Sequence, residues 1–287
     1  MGGGTWTNDS FTSYSCSVHK SIDSRGFITS GQEWRARRMD SALDPKGVIR
    51  ECVNSKEHPN TIPVILALDV TGSMGEACKK TAEALGVIMT DLYSKHKDIE
   101  FMIMGIGDVE CDNCPIQATQ FESDVRIAEQ LDKLYMEHGG GGNGYESYTA
   151  AWQFGLQQCK LDCWKQGRKG IIITMGDEPL NPVLERHGLN EATGQTNEAS
   201  IKTPDLYKRA CEKYDIFHIA VDDSDNCYNT YSNRIKRSFG QLLGDRLKIS
   251  TLNILHKTIS DCIDEAVKGT TETAQTTQLN ENGEITW

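Results

Sequence analysis

No apolar stretch in the 287-residue sequence approaches the roughly 20 residues that a membrane-spanning helix needs. The longest runs, Ile62 to Leu68 and Gly170 to Ile173, fall far short of it. The first residues, Met1 to Ser10, are Gly-rich and polar and lack the apolar segment of a secretory signal, so export is not expected. Basic charge is scarce too: 30 Lys and Arg stand against 41 Asp and Glu, and a net charge of -11 argues against generic electrostatic binding to nucleic acid or anionic lipid. The ten cysteines form no dense scaffold pattern, and without an export signal they read as reduced thiols in a cytoplasmic protein. The pairs Cys111/Cys114 and Cys159/Cys163 have only a weak claim on zinc, because the second spacing falls on a helix and the two pairs lie far apart in sequence. The glycine run Gly139 to Gly144 lacks the Lys-Ser/Thr that completes a phosphate-cradling P-loop.

What is present is ordinary for a soluble globular chain, with 25% charged and 38% hydrophobic residues. From Thr61 onward, continuous apolar runs of strand length alternate with amphipathic segments. Val64 to Leu68, Phe101 to Ile106, Ile171 to Ile173 and Ile216 to Val221 read as strands buried on both faces. Helices are expected over Gly75–Tyr93, around Ile127 to Tyr135, and over Ser147–Gln166, Pro204–Tyr214, Tyr228–Leu243 and His256–Val267. Short strands are expected at Ile116–Phe121 and Leu247–Ile249, and the polar stretch Glu178–Thr203 reads as a long covering loop. The alternation predicts an α/β fold: a doubly wound, mostly parallel sheet with helices on both faces. Residues 1–60 are then an N-terminal extension packed on the domain, 61–268 the domain itself, and 269–287 a polar C-terminal tail. Arg35, Arg37 and Arg38 in the extension read as a solvated face rather than a nucleic-acid contact.

In such a sheet, sites lie just beyond the carboxyl ends of strands. Two acidic groups stand there. Asp69-Val70-Thr71-Gly72-Ser73 places a carboxylate and two hydroxyls at alternate positions on a turn entering a helix, and Gly176-Asp177-Glu178 follows the Ile171 to Ile173 strand. All are hard oxygen donors, suited to Mg²⁺ or Mn²⁺ more than to a soft metal. The competing reading of Asp69, Thr71 and Ser73 is an ordinary helix N-cap. The run Asp69-x-Thr71-x-Ser73 resembles the Asp-x-Ser/Thr-x-Ser signature of von Willebrand factor A domains. The resemblance extends in order over Thr61 to Lys268, through a third loop at Gly139 to Ser147 and an Asp after the fourth strand at Asp177. It implies a metal-ion-dependent adhesion site formed by Asp69, Thr71, Ser73 and Asp177. In the third loop, where the family commonly has a Thr, helix register points to Glu146, with Ser147 and Asn143 as alternatives, and Glu178 is placed to share the role of Asp177.

The function so implied is a metal-dependent binding module: Mg²⁺ or Mn²⁺ keeps a position open for an acidic residue of a partner protein, within larger assemblies that sometimes include ATPases. The alternative is a Mg²⁺-dependent phosphotransferase or phosphatase with Asp69 as nucleophile, although Thr71 stands where a second acid is usual. The acidic stretch Asp222 to Asn226 lacks the spacing of a calcium loop, and His218, inside a strand, reads as a packed histidine.

Overall fold

A computed structural model of the protein describes residues 4–137 and 143–281, with side chains through Gly269. Its centre is a six-stranded sheet built from β1 (Ile62–Asp69), β2 (Ile99–Ile106), β3 (Ile116–Ala118), β4 (Gly170–Gly176), β5 (Tyr214–Val221) and β6 (Leu247–Ser250). The spatial order is β6-β5-β4-β1-β2-β3. Successive residues of a strand point to opposite faces, so a strand covered on both sides must be apolar throughout. In β1, Val64, Leu66 and Leu68 enter one core while Ile65 and Ala67 enter the other. In β2, Phe101 and Ile103 face the first, and Met102, Met104 and Ile106 the second.

The expected doubly wound, mostly parallel sheet is corrected to a mixed one. β3 pairs antiparallel with β2, with Ile106 opposite Ile116, whereas β1, β2, β4, β5 and β6 pair in parallel. The physical reason is the length of the connection. Only nine residues separate Ile106 from Ile116, fewer than the dozen or more of a parallel crossover, so the chain folds back as a hairpin. Gly107 N–H donating to Pro115 O at 2.9 Å closes it. Three two-stranded pairs lie outside this sheet: Ser21–Ile22 with Ile28–Ser30, Arg50–Cys52 with Cys159–Leu161, and Val183–Leu184 with Ile201–Lys202.

The helices are α1 (Asn8–Ser17), α2 (Gly75–Glu83), α3 (Leu85–Lys95), α4 (Arg126–Leu131), α5 (Thr149–Gln158), α6 (Arg186–Thr193), α7 (Thr203–Ala210), α8 (Tyr228–Leu243) and α9 (Leu255–Glu281). The segment expected as one helix over Gly75–Tyr93 divides at Ala84 into α2 and α3. The helix expected over Ser147–Gln166 stops at Gln158, because Cys159–Leu161 is drawn out as a strand against Arg50–Cys52. The covering loop holds α6, whose Leu189 is buried and whose Asn190 side chain binds Asn197. The last helix runs beyond Val267 to Glu281. Gly139 to Gly142 of the glycine run, and residues 282–287 of the expected tail, lie outside the described residues.

The first sixty residues are woven into the core. Trp6 and Phe11 lie 4.9 Å apart in ring centroids, and both are buried in the cluster that also holds α3. A Cβ on Gly86 would overlap the Phe11 ring, so the absence of a side chain there lets α1 close on α3. Lys20 and Tyr14 converge on Asp132, the Tyr14 hydroxyl donating at 2.7 Å, and Trp34 Nε1 donates to Leu131 O at 3.0 Å. Phe11→Ala is therefore expected to lower unfolding free energy by about 3 kcal/mol, the cost of emptying a buried aromatic site. Chemical denaturation measures it, and a loss within experimental error would show that the extension contributes nothing to the core.

Candidate functional site

β1 and β4 pair with Leu68 opposite Met175, so their carboxyl ends emerge side by side. From that point the chain order runs outward to both edges of the sheet, which leaves a crevice between the loops that follow β1 and β4. Asp69 ends β1 and Asp177 follows β4, and both are buried, each with 0% exposure. Two acids from distant parts of the sequence thus occupy one water-poor cleft.

Each carboxylate is held by donors from its surroundings. Asp69 Oδ1 accepts from Thr71 N at 3.0 Å and Thr71 Oγ1 at 2.6 Å, and Oδ2 accepts from the Tyr148 hydroxyl at 2.8 Å. Asp177 Oδ1 accepts from Ser73 Oγ at 3.2 Å, and Oδ2 accepts at 2.7 Å from Cys227 N, at the N-terminus of α8, where the helix dipole favours negative charge. Burial pushes the Asp69 carboxyl up to about 7, aided by the charge of Asp177 and opposed by the Thr71 and Tyr148 hydrogen bonds. Burial likewise raises Asp177.

Glu146 enters the same cleft. It is 1% exposed, bridges in parallel to Leu180 in the loop after β4, and its Oε2 has no hydrogen-bond partner among the described residues. Its carboxyl lies far above the usual range, first through burial and then through repulsion by Asp69, Asp112, Glu178 and Asp108. Glu178, half-buried at the mouth, is pushed up to about 7 by burial and by Asp177, with Arg234 acting in the opposite sense. Ser147 and Asn143, the alternatives to Glu146, are engaged elsewhere: the Ser147 hydroxyl donates to Asp108 Oδ1 at 3.2 Å and Asn143 Nδ2 to Asp108 Oδ2 at 2.6 Å. They fasten the third loop to the turn after β2.

Among the described residues, no group of three or more His, Cys, Asp and Glu side chains forms a metal cage. The donors that converge are two carboxylates with their hydroxyl partners and the unpartnered Glu146 oxygen. That set is chemically suited to a small hard cation that retains much of its water, and unsuited to zinc. Cys114, Cys159 and Cys163 are free thiols. As a nucleophile Asp69 is poorly presented, since both oxygens already accept hydrogen bonds and the residue is fully buried.

Sequence reasoning missed Tyr148. Its ring is fully buried, and its hydroxyl donates to Asp69 while accepting from Glu178 N at 3.3 Å, so one phenol ties together the ends of β1 and β4 and the third loop. The signal was Gly176, placed before Asp177: any Cβ there would overlap the Tyr148 hydroxyl. His218 is packed, stacked on Phe239 with centroids 3.6 Å apart and bonded through Nδ1 to Thr174 Oγ1 at 2.8 Å. Burial holds its imidazole down to about 3.

No protein-family model matches the chain, and no curated protein matches it by sequence. Among solved structures, the pilus adhesin SpaC from Lactobacillus rhamnosus GG in its open conformation is similar at TM-score 0.51 and 10% identity, over 78% of this chain and 31% of that one. The PilB minor pilin from Streptococcus sanguinis aligns at TM-score 0.44 and 12% identity, over 73% of this chain and 62% of that one. The chain therefore spans less than two thirds of the length of either. These findings correct the reading of the sequence as an intracellular von Willebrand factor A domain whose metal-ion-dependent adhesion site engages a partner's acid. The similar fold is that of part of a pilus adhesin, and no three-ligand metal group stands among the described residues. The Thr71 and Ser73 hydroxyls donate to the two carboxylates, which satisfies those acids within the turn. What the chain shares with a solved protein is the fold of part of the SpaC pilus adhesin.

Proposed function

We propose that this chain is a non-catalytic binding domain of the adhesin type, whose acidic cleft is neutralised by a Mg²⁺ or Mn²⁺ ion and whose partner is another protein. The observation that carries the reading is the buried, unpartnered Glu146 oxygen beside Asp69 and Asp177. A carboxyl group removed from water without a compensating partner costs several kcal/mol unless it is protonated or meets a cation. Asp69, Thr71, Ser73, Asp177 and Glu146 are the residues that would hold the ion. In this reading the ion neutralises and orders the cleft, while the contact with the partner is made by the protein's own side chains around it. The likeness in fold to a pilus adhesin supports a binding rather than a catalytic role. The ten cysteines, scattered along the chain without a dense scaffold pattern, support residence in a reducing compartment such as the cytoplasm.

Calorimetric titration of Mg²⁺ into metal-free protein is expected to show about one site in the wild type and none in Asp69→Ala. Absence of binding to the wild type, with no change in its thermal midpoint, would remove the ion from this reading. Stability of the metal-free protein should also fall as pH rises from about 4.5 to about 7, where Asp69 and Glu178 ionise in the fold, and more gently above that through Glu146. The sign follows from the raised carboxyls of Asp69, Glu146 and Glu178. A folded-state pKa above the unfolded one contributes stability that is complete at low pH and is lost as pH climbs towards the folded value. Each carboxyl still protonated in the fold contributes on the order of 1 kcal/mol per pH unit, and saturating Mg²⁺ should flatten the dependence. Below about pH 6.5 the depressed imidazole of His218 acts in the opposite direction, but one imidazole is outweighed by three raised carboxyls, so the metal-free protein goes on gaining stability down towards the ordinary carboxylate range. Glu146→Gln keeps the shape without the charge and is expected to raise metal-free stability at about pH 8 by about 1 kcal/mol or more while weakening Mg²⁺ binding. A destabilised Gln variant would show that the Glu146 carboxylate is already compensated.

A further inference from the structure

At the mouth of the acidic cleft the third loop and α8 meet. Arg234 on α8 is exposed, and its guanidinium lies between two phenol rings, 4.7 Å from the Tyr145 centroid and 5.2 Å from that of Tyr231. Gly144, with φ +70, lets the loop turn so that its backbone approaches both; a Cβ there would stand 3.2 Å from the Tyr231 hydroxyl and 3.4 Å from Arg234 Nη1. Tyr145 is anchored in turn by its backbone N–H, which donates to Asn143 Oδ1 at 3.0 Å. Arg234 forms no ion pair among the described residues, although Glu178 is close enough to feel its charge. A long flexible cation on the surface of a chain with net charge -11 ordinarily finds a carboxylate. Here it lies over two aromatic faces, and among the described residues its planar fork has no carboxylate partner. Such stacking fixes the guanidinium plane while leaving its N–H edge available for an oxyanion. One helical turn along α8, Arg237 is exposed on the same side, and Lys236 is exposed beside it.

We propose that Arg234, braced by Tyr145 and Tyr231, is the anchor that receives a carboxylate from an acidic segment of the partner protein. The inference names the chemistry of the partner in the binding role proposed above and rests on that reading, but it needs no metal. A guanidinium pre-oriented by two rings binds a carboxylate in a two-pronged fashion with little side-chain ordering left to do. Nucleic acid fits the chain less well, since a net charge of -11 repels a row of phosphates, whereas a peptide can place one carboxylate on Arg234 and turn away.

The test is fluorescence anisotropy of a rhodamine-labelled hexaglutamate peptide with the full chain, at low salt, in Mg²⁺ and separately in EDTA. Arg234 is exposed, so its substitution leaves the fold intact, which circular dichroism checks. The expected result is binding in both buffers, weakened about tenfold by Arg234→Ala and only partly recovered by Arg234→Lys, because an ammonium cannot form the forked pair. Tyr145→Leu with Tyr231→Leu should weaken binding less than loss of the arginine but measurably, since the fork then loses its brace. The proposal is overturned if the wild type does not bind the peptide, if Arg234→Ala binds as the wild type does, or if an oligothymidylate binds more tightly than the peptide at equal salt. Arg234-dependent peptide binding by a protein that takes up no Mg²⁺ in the calorimetric titration would sink the ion alone. Mg²⁺ binding with a peptide indifferent to Arg234 would sink the anchor alone.

Discussion

Everything distinctive about this molecule depends on keeping several carboxyl groups out of water at one end of a sheet. Asp69, Asp177 and Glu146 are brought there by strand ends and a loop that the sheet order forces together, and each raises the cost of ionising the next. The surrounding structure is an answer to that repulsion. Thr71 and Ser73 donate hydroxyls, the N-terminus of α8 donates Cys227 N–H, and Tyr148 reaches across from α5's leading edge to bind Asp69. One oxygen, on Glu146, is left over. The proposed ion is what would complete that oxygen from outside.

The same arrangement explains the two layers of the mouth. Inside it, charge is negative and water is scarce. At its lip the third loop and α8 present a braced guanidinium and two phenols, of opposite polarity to the interior. The two layers are physically coupled through Glu178, which is raised by the acids below it and lowered by the arginine beside it. A surface with both signs of charge within one helical turn selects partners by geometry as well as by sign.

The N-terminal sixty residues bear on this site only through the frame. They close the face of the sheet that α2, α3 and α9 leave open, using Trp6, Phe11 and the Tyr14, Lys20 and Gln32 side chains gathered on Asp132. Arg50–Cys52 adds a strand to Cys159–Leu161 on the other face. Stiffness in both cores fixes the distance between the ends of β1 and β4, and thereby the cleft.

The sequence by itself determined the strands that are buried on both faces, because Val64 to Leu68 or Ile216 to Val221 admits no polar side, and it placed Asp69 and Asp177 at strand ends. It also marked helices by apolar spacing, as in α8. It did not determine the sheet's hand-over from parallel to antiparallel at β3, since three residues, Ile116–Ala118, carry no record of direction; the short turn from Ile106 decides that. Nor did it determine where α5 ends, because the partner of Cys159–Leu161 lies a hundred residues earlier in the extension. The short Asp69-x-Thr71-x-Ser73 pattern suggested a family that neither the family models nor the similar fold supports, since hydroxyls near a carboxylate satisfy that carboxylate within a turn as well as serve a metal. Only the tertiary structure decided that Ser147 and Asn143 belong to Asp108, that Tyr148 belongs to Asp69, and that Arg234 stands between two tyrosines. Such contacts join residues far apart in the chain, and no local periodicity encodes which side chain a folded sheet will carry to which.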